Sequence, residues 1–223
     1  EIKAIFCCRG GYGTIRIVDM LDFTRMVQHP KWVVGYSDIT VLHSHLNRLL
    51  GLPTLHATMP INMHGEETPA THTMHDVLFG VQGDHISYEW EPSAENLPGT
   101  VHAEVVGGNL SILYSLLGSP SQMDTRGKIL LIEDLDEYLY HIDRMMQALK
   151  RAGMLDGLAA LMVGGMTDMH DNTVPFGREV VQIVRDAVED HPYPVVFRAP
   201  FGHLGDNNLA LPMGIKYTLE VSN

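Results

Sequence analysis

Residues 31–50 read KWVVGYSDITVLHSHLNRLL, and this stretch decides the fold class of the first part of the chain. The apolar residues 32–34 predict a short buried strand, and the leucines at positions 42, 46 and 49 predict one face of a helix that stops at Gly51. Ser37 lies in the turn between the two elements. A serine at a strand–turn–helix junction is typical of a nucleophile elbow, which exposes the hydroxyl at the end of a sheet.

The elbow motif is incomplete, because Ile39 occupies the last glycine position of the pattern G-x-S-x-G. A structural interpretation is the alternative: Ser37 or Asp38 would serve only as the N-cap of the helix that follows, since both residue types are preferred there. The spacing alone leaves both interpretations open.

Strands and helices alternate on both sides of this turn. Residues 2–8 (IKAIFCC) predict a strand, residues 9–13 (RGGYG) a glycine-rich turn, residues 14–28 a helix, and residues 52–59 another strand. This alternation is the signature of a parallel α/β sheet.

The character of the sequence changes after position 62, where prolines, histidines and acidic residues dominate. We therefore divide the chain into an N-terminal α/β domain (1–62), a linker (63–98) and a C-terminal domain (99–223). After position 62 the patterns predict helices at 73–79, 110–117, 138–151 and 177–190, and strands at 85–90, 101–106, 128–133, 158–163, 193–198 and 213–221.

Bulk properties exclude several classes of protein. The 223 residues carry a formal net charge of −12, which argues against a nucleic-acid surface, and no apolar run has the length of a membrane span. The adjacent Cys7 and Cys8 make a poor disulfide and favour a reducing compartment with buried thiols. Because the chain opens directly on a strand next to the glycine turn, we expect residues that precede Glu1 to be missing.

A catalytic triad is compatible with the order of three residues. Serine hydrolysis requires a base that takes the hydroxyl proton and a carboxylate that orients this base. Ser37 is followed by Glu133 at the end of an apolar strand and by His203 in a loop bracketed by glycines. With 13 histidines and 27 acidic residues, order alone is weak evidence, and an ordinary strand-end acid and an ordinary loop histidine are the alternatives.

The glycine turn at residues 9–13 offers backbone N–H groups beside a helix start, which suits an oxyanion or a phosphate. It matches neither G-x-x-x-x-G-K-[ST] nor G-x-G-x-x-G, so a tight turn that requires glycine is the alternative.

Histidine is abundant, but its spacing does not favour a metal site. His43 and His45 are two positions apart and point to different faces of a helix, His72 and His75 stand without further ligands, and H-E-x-x-H is absent from the sequence. We expect neither a metal nor a cofactor, and we interpret the 13 methionines as packing residues.

Several local patterns together resemble the LD-carboxypeptidases of the serine peptidase S66 group, which includes muramoyltetrapeptide carboxypeptidases and microcin C self-immunity peptidases. They occur in the order of the family and span nearly the whole chain. In this sequence they are residues 9–13 (RGGYG), 30–40 (PKWVVGYSDIT), 107–110 (GGNL), 132–134 (IED) and 202–203 (GH).

The resemblance implies an N-terminal parallel α/β domain followed by a smaller C-terminal α/β domain around a small sheet or barrel. Family chains normally carry several dozen residues before the glycine turn, in line with the expectation stated above for Glu1. The roles it implies are Ser37 as nucleophile, Glu133 as orienting acid, His203 as general base, and the backbone N–H groups of Asp38 and of Gly10 or Gly11 as the oxyanion hole.

The resemblance also implies a cytoplasmic homodimer that removes the terminal D-alanine from murein tetrapeptides in peptidoglycan recycling, without a metal. Arg9 is a candidate partner for the free carboxylate of the substrate, and a surface arginine is the alternative. Two other functions stay open: cleavage of aminoacyl-nucleotide amides, with Trp90 as a platform for the base, and non-enzymatic binding of a phosphate ligand by residues 10–13.

Overall fold

The computed structural model describes residues 2–81 and 86–222, whose strands form two sheets covered by helices. The strands are β1 (Ala4–Phe6), β2 (Trp32–Gly35), β3 (Thr54–His56), β4 (Gly99–Asn109), β5 (Ile129–Leu135), β6 (Ala160–Thr167), β7 (Val195–Val196), β8 (Leu211–Met213) and β9 (Lys216–Val221). The helices are α1 (Thr14–Ile17), α2 (Thr24–Gln28), α3 (Thr40–Leu50), α4 (Pro69–Phe79), α5 (Leu110–Ser115), α6 (Leu139–Arg151) and α7 (Val180–Val188).

The first sheet has the strand order β1-β2-β3-β8, in which β1, β2 and β3 run parallel and β8 runs antiparallel to β3. Both faces of β2 are covered, because successive side chains of a strand point to opposite sides. Val33 packs with Leu46 of α3, whereas Val34 packs with Leu55 and with Met74 of α4. The predicted parallel α/β sheet is confirmed.

The second sheet has the order β7-β6-β5-β4-β9 and curls into a half-barrel. Its four strands β4 to β7 run parallel, and β9 runs antiparallel to β4. On one face, Leu130 and Ile132 bury against Ile142 of α6 and Val184 of α7. The other face buries Ile129, Leu131 and other apolar side chains. The expected α/β fold with a second sheet or barrel in the C-terminal part of the chain is therefore confirmed.

The carboxyl ends of the parallel strands carry the polar residues of interest. Ser37 lies two residues after the end of β2, and Glu133 lies near the end of β5, opposite Asn109 at the end of β4. In open α/β sheets, ligands bind at the carboxyl ends of the strands. We therefore expect the active site at the carboxyl ends of β2, β4 and β5.

The prediction of a single helix over residues 14–28 is wrong. The structure divides it into α1, a 3₁₀ turn (Val18–Met20) and α2. Leu21 is extended, and the side chain of Asp22 accepts a hydrogen bond of 2.9 Å from the backbone N–H of Thr24. A local side-chain acceptor of this kind starts a new helix instead of continuing the old one.

The strand predicted over residues 213–221 is two strands. Gly214, with φ of +80°, separates β8, which joins the first sheet, from β9, which joins the second. Of the strand predicted over 85–90, residue 85 lies outside the described residues, and residues 86–90 form no strand. Tyr88 and Trp90 instead contact Phe201 edge-on, so their alternation reflects burial against the second sheet.

Two smaller expectations also fail. Leu49 is 49% exposed, so the apolar face of α3 rests on Leu46 with partly buried Leu42. Cys7 is half-buried and Cys8 is exposed, so the prediction of two buried thiols is wrong. Gly51 does end α3 in the left-handed conformation, as the sequence predicts.

The division into 1–62, 63–98 and 99–223 stays a prediction. Two observations bear on it: α4 lies inside residues 63–98, and β8, from the last segment, hydrogen-bonds with β3 of the first. Among the helices of the described chain, none has the length and apolar character needed to cross a membrane.

Candidate active site

Ser37 lies in a strained turn between β2 and α3. Its φ is +63°, a conformation that is rare for residues other than glycine and that nucleophile elbows share. Glycine is required two residues earlier, because a Cβ on Gly35 would lie 2.9 Å from the side chain of Ile39. Ile39, which replaces the last glycine of the motif G-x-S-x-G, therefore packs directly against Gly35.

Hydrogen bonds fix the strand end that carries the turn. The carbonyl oxygen of Gly35 accepts the backbone N–H of Ala57 at 3.1 Å and contacts Nε2 of the buried His43 at 2.9 Å. Since a carbonyl oxygen only accepts, Nε2 of His43 carries the proton. Burial lowers the pKa of His43 to about 4, so its imidazole is neutral.

Asp38 does not cap its own helix, and neither does Ser37: α3 has no side-chain N-cap hydrogen bond. Instead, Oδ2 of Asp38 accepts hydrogen bonds from the backbone N–H groups of Gly13 (3.1 Å) and Thr14 (3.0 Å) and from the Thr14 hydroxyl (2.7 Å). The carboxylate therefore caps α1 and ties the glycine turn to the serine turn. The N-cap alternative for α3 is wrong.

The glycine turn approaches Ser37 closely. A Cβ added to Gly10 would lie 3.2 Å from both Cβ and Oγ of Ser37, whereas one added to Gly11 would lie 3.8 Å from Oδ2 of Asp38. Within residues 2–81 and 86–222, the backbone N–H groups of Gly10, Gly11 and Asp38 donate no hydrogen bond. Gly10 is the nearer of the two glycines to the serine hydroxyl.

Glu133 and His203 form a close pair at the end of β5. Glu133 is completely buried, and its Oε2 lies 2.5 Å from Nδ1 of His203 and 3.3 Å from the backbone nitrogen of the same residue. Because an ionised carboxylate only accepts, Nδ1 carries the proton and Nε2 is left as the basic nitrogen. A Cβ on Gly202 would lie 2.7 Å from Glu133, so glycine is needed next to the histidine.

The electrostatics of this pair favour a stronger base than an ordinary histidine. Burial acts to lower the pKa of His203, but the hydrogen bond and charge of Glu133, with the charge of Asp134, outweigh it and raise this pKa above its usual 6.5. A protonated imidazole is thus stabilised at this position, which is what a general base must become during proton transfer.

The Glu133–His203 pair lies beside the turn that carries Ser37. The ring of His203 packs on the ring of Tyr36 with centroids 4.9 Å apart, and Tyr36 is the neighbour of Ser37. The Tyr36 hydroxyl accepts a hydrogen bond of 2.7 Å from Asn62, which holds the ring in place. The backbone carbonyl of His203 accepts a hydrogen bond of 3.1 Å from the Thr167 hydroxyl.

Family models match both parts of the chain. The model of the LD-carboxypeptidase N-terminal domain matches residues 1–57, and the model of the LD-carboxypeptidase C-terminal domain matches residues 102–219. The chain belongs to the LD-carboxypeptidase family. The family that the motifs resemble is therefore confirmed, and the protein is a carboxypeptidase.

Individual members of the family agree with this assignment. A probable murein peptide carboxypeptidase of Bacillus subtilis is 39% identical over the whole of this chain and 70% of its own length. The crystal structure of a muramoyltetrapeptide carboxypeptidase from Oxalobacter formigenes superposes with a TM-score of 0.87 at 26% identity, over 99% of this chain and 76% of that one. The structure of MccF with glutamyl sulfamoyl guanosine shares the fold at 22% identity, with a TM-score of 0.83 over 98% and 73%.

Arg9 and Trp90, the two other candidate residues, differ in position. Arg9 is exposed next to Gly10 in the chain, and no described residue forms an ion pair with it. Trp90 contacts Phe201 in a cavity of about 560 Å³ inside the half-barrel. Ser37 and His203 do not line this cavity, which removes the support for Trp90 as a platform at the site.

Sequence reasoning missed the residues that hold this LD-carboxypeptidase site together. Tyr36, in the serine turn, and Thr167, at the end of β6, contact His203, and the ring of His43 contacts the carbonyl oxygen of Gly35. Only Tyr36 gave a signal, because it adjoins Ser37 in the motif. The histidines with metal-like spacing have other partners: Nδ1 of His45 lies 2.9 Å from the Ser121 hydroxyl, and His72 pairs with Glu67.

Proposed function

We propose that this LD-carboxypeptidase is a serine enzyme that removes the terminal D-alanine from murein tetrapeptides by way of an acyl-enzyme. The observation that carries the proposal is the buried Glu133–His203 pair beside the strained Ser37. The names of the relatives supply the substrate class, since two of them are murein peptide and muramoyltetrapeptide carboxypeptidases.

The reaction would follow the logic of acyl transfer. Nε2 of His203 accepts the proton of Ser37 as Oγ attacks the carbonyl carbon of the L,D-amide, and Glu133 stabilises the imidazolium that forms. His203 then gives the proton to the amine of the departing D-alanine. A water molecule, deprotonated by the same nitrogen, hydrolyses the ester and restores Ser37.

The oxyanion would be held by backbone N–H groups. Asp38 follows Ser37 directly in the chain, a Cβ on Gly10 would lie 3.2 Å from Oγ of Ser37, and neither N–H group donates a hydrogen bond within the described part of the chain. Each such donor is worth about 3 kcal/mol of transition-state stabilisation in related chemistry. Gly11, which approaches Asp38 and not Ser37, is the weaker candidate for this role.

A carboxypeptidase must also bind a free carboxylate. Arg9 is exposed one residue before Gly10, in a protein whose formal net charge is −12. A single cation at this place would both bind the D-alanine carboxylate and counter repulsion of the anionic substrate. We assign this role to Arg9 as part of the proposal.

Incubation of a murein tetrapeptide with the protein, followed by mass spectrometry, tests the proposal. We expect the mass of one alanine residue to be lost, unaffected by EDTA, and no loss with the Ser37→Ala variant. Turnover by Ser37→Ala at the wild-type rate would refute the serine mechanism. If the wild-type protein leaves the tetrapeptide intact, the same assay on an aminoacyl-nucleotide amide and binding of inorganic phosphate test the two other functions.

Two further parts of the proposal rest on the family resemblance: a homodimer and a cytoplasmic location. Sedimentation equilibrium of the purified protein tests the first, since a dimer has twice the mass of 24.8 kDa. Cell fractionation with a marker enzyme for each compartment tests the second. A monomer at micromolar concentration or recovery outside the cytoplasmic fraction would contradict the respective part.

A further inference from the structure

Two parts of the family motifs have no role in the reaction described above: residues 107–110 and, in the motif 132–134, Asp134. Asn109, at the end of β4, lies opposite Glu133 in the parallel pairing of β4 with β5. Both Asn109 and Asp134 are almost fully buried, with 4% and 2% of their surface exposed. Buried polar side chains next to a catalytic carboxylate require a structural or functional reason.

The first contact connects β4 to the serine turn. The backbone N–H of Asn109 donates a hydrogen bond of 3.0 Å to Oγ1 of Thr40, the first residue of α3 and three positions after Ser37. Thr40 is fully buried. A Cβ on Gly108 would lie 2.6 Å from the Thr40 hydroxyl, so glycine at this position is what lets β4 come so close.

The second contact connects β4 to the strand that carries Glu133. Oδ1 of Asp134 accepts hydrogen bonds from the Asn109 side-chain amide (3.0 Å) and the Leu135 backbone (2.9 Å), and Oδ2 accepts the Ser111 backbone N–H (2.9 Å). The other side-chain atom of Asn109, Oδ1, accepts the N–H of Ile112 at the start of α5. Both polar atoms of the Asn109 side chain are therefore hydrogen-bonded, which fixes the orientation of its amide.

We propose that Thr40, Asn109 and Asp134 form a clasp that sets the distance between Ser37 and the Glu133–His203 pair. The clasp runs from the nucleophile turn through the end of β4 to the residue after Glu133. Ser37 follows β2 of the first sheet and Glu133 lies in β5 of the second, and the clasp is a direct polar link between the serine turn and the ends of β4 and β5. In this scheme Asp134 is a positioning residue, because it contacts neither the substrate nor Ser37.

Asp134 has a second effect on the base through its charge. Its negative charge raises the pKa of His203, in addition to the effect of Glu133. Among the described residues, the titratable groups that face His203 are Glu133 and Asp134 of β5, Tyr36 beside Ser37, and His56 of β3. Removing the charge of Asp134 should therefore lower the pKa of His203, whereas replacing a residue with a purely structural role would leave this pKa unchanged.

Matched substitutions at Thr40 test the geometric part, which rests on the proposed function. Thr40→Val removes the acceptor of the Asn109 N–H while keeping the shape, and Thr40→Ser keeps the hydroxyl. We expect kcat for D-alanine release to fall roughly 10- to 100-fold in Thr40→Val with little change in KM, and to recover in Thr40→Ser, because small misplacements of reacting groups are costly.

Thr54→Val is the control, since Thr54 is as buried as Thr40 but its hydroxyl has no partner within the described residues. It should retain wild-type kcat. Equal kcat in Thr40→Val and Thr54→Val would overturn the proposal.

A second experiment keeps the clasp testable if the proposed function is wrong. NMR titration of imidazole resonances gives the pKa of His203 without any substrate, and a fluorophosphonate reports the reactivity of Ser37 by intact mass. Asp134→Asn should lower the pKa of His203, and Thr40→Val should slow the labelling of Ser37 relative to Thr54→Val. An unchanged pKa together with unchanged labelling would overturn the clasp, whatever the substrate. If Asp134→Asn does not fold, the Thr40 labelling comparison decides alone.

Discussion

At the scale of single residues, the site depends on how His203 is paired. Its Nδ1 lies 2.5 Å from a carboxylate that is completely buried, which leaves Nε2 as the basic nitrogen. A carboxylate without access to water stabilises the imidazolium strongly, because little solvent screens the interaction. The negative charge of Glu133 therefore favours the protonated form of the His203 imidazole.

This pairing predicts the pH dependence of the enzyme. Because the pKa of His203 is raised above 6.5, the base is protonated and inactive at low pH, and kcat/KM should rise with pH through an inflection above 6.5. In Glu133→Gln the charge is lost, so the inflection should move to lower pH while kcat falls by about 10²- to 10⁴-fold. Initial rates of D-alanine release between pH 5 and 9 measure both. An inflection that stays in place in Glu133→Gln would show that Glu133 does not set the pKa of His203.

At the scale of elements, the glycine turn and the serine turn act as one unit. Asp38 caps α1 and thereby holds residues 9–13 against its own turn. The spacing predicted a glycine turn and a serine turn separately but not their contact. A contact between residues some 25 positions apart depends on the pairing of β1 with β2, which no local pattern encodes.

Substitution of two glycines in this turn gives a matched test. Gly10→Ala would place a Cβ 3.2 Å from Oγ of Ser37, whereas Gly13→Ala would place one in open space with its N–H still free to bind Asp38. We expect kcat to fall roughly tenfold or more in Gly10→Ala, because Ser37 must shift, and to stay near wild type in Gly13→Ala. Steady-state kinetics with a murein tetrapeptide measure this. Equal kcat values would argue against the close approach of Gly10 to the nucleophile.

Element types were predictable where apolar periodicity and a stop signal agreed. Helix α3 with Gly51 and strand β5 are examples. The prediction failed where one polar or glycine residue changes the direction of the chain. Asp22 accepts a hydrogen bond at the start of α2, where one continuous helix was predicted. Gly214 separates β8 from β9, which belong to different sheets. The three triad candidates could be selected from the order of the family motifs, but Tyr36 and Thr167 could not, because their importance lies in tertiary contacts with His203.

At the scale of the whole molecule, buried histidines behind the site couple the fold to pH. Burial lowers the pKa of His43 to about 4 and that of His56 to about 3, from 6.5. Both nitrogens of His56 lack a partner within the described residues, and its ring lies 6.2 Å from that of His43. The native state therefore resists protonation of either ring, while the unfolded chain does not.

This difference fixes the sign of the contribution that His43 and His56 make to the pH dependence of stability. As the pH falls below 6.5, the unfolded state binds protons that the native state refuses, so the free energy of unfolding falls. Between pH 7.5 and 5 each of the two histidines accounts for about 2 kcal/mol of this loss. Asp134 acts in the opposite direction, because burial raises its pKa to about 6 and the native state gains a proton there, which offsets about 1 kcal/mol.

Replacing His56 isolates its share. His56→Leu removes an unpartnered imidazole without breaking a hydrogen bond, so we expect the loss of unfolding free energy between pH 7.5 and 5 to shrink by about 2 kcal/mol. The contributions of His43 and Asp134 are common to both proteins and cancel in the comparison. Urea unfolding followed by circular dichroism at the two pH values supplies the free energies. His29→Gln, at an exposed position, should leave the pH dependence of wild type unchanged. A pH dependence in His56→Leu as steep as in wild type would mean that His56 is protonated equally in the native and unfolded states, and that the interior behind Ser37 is open to water.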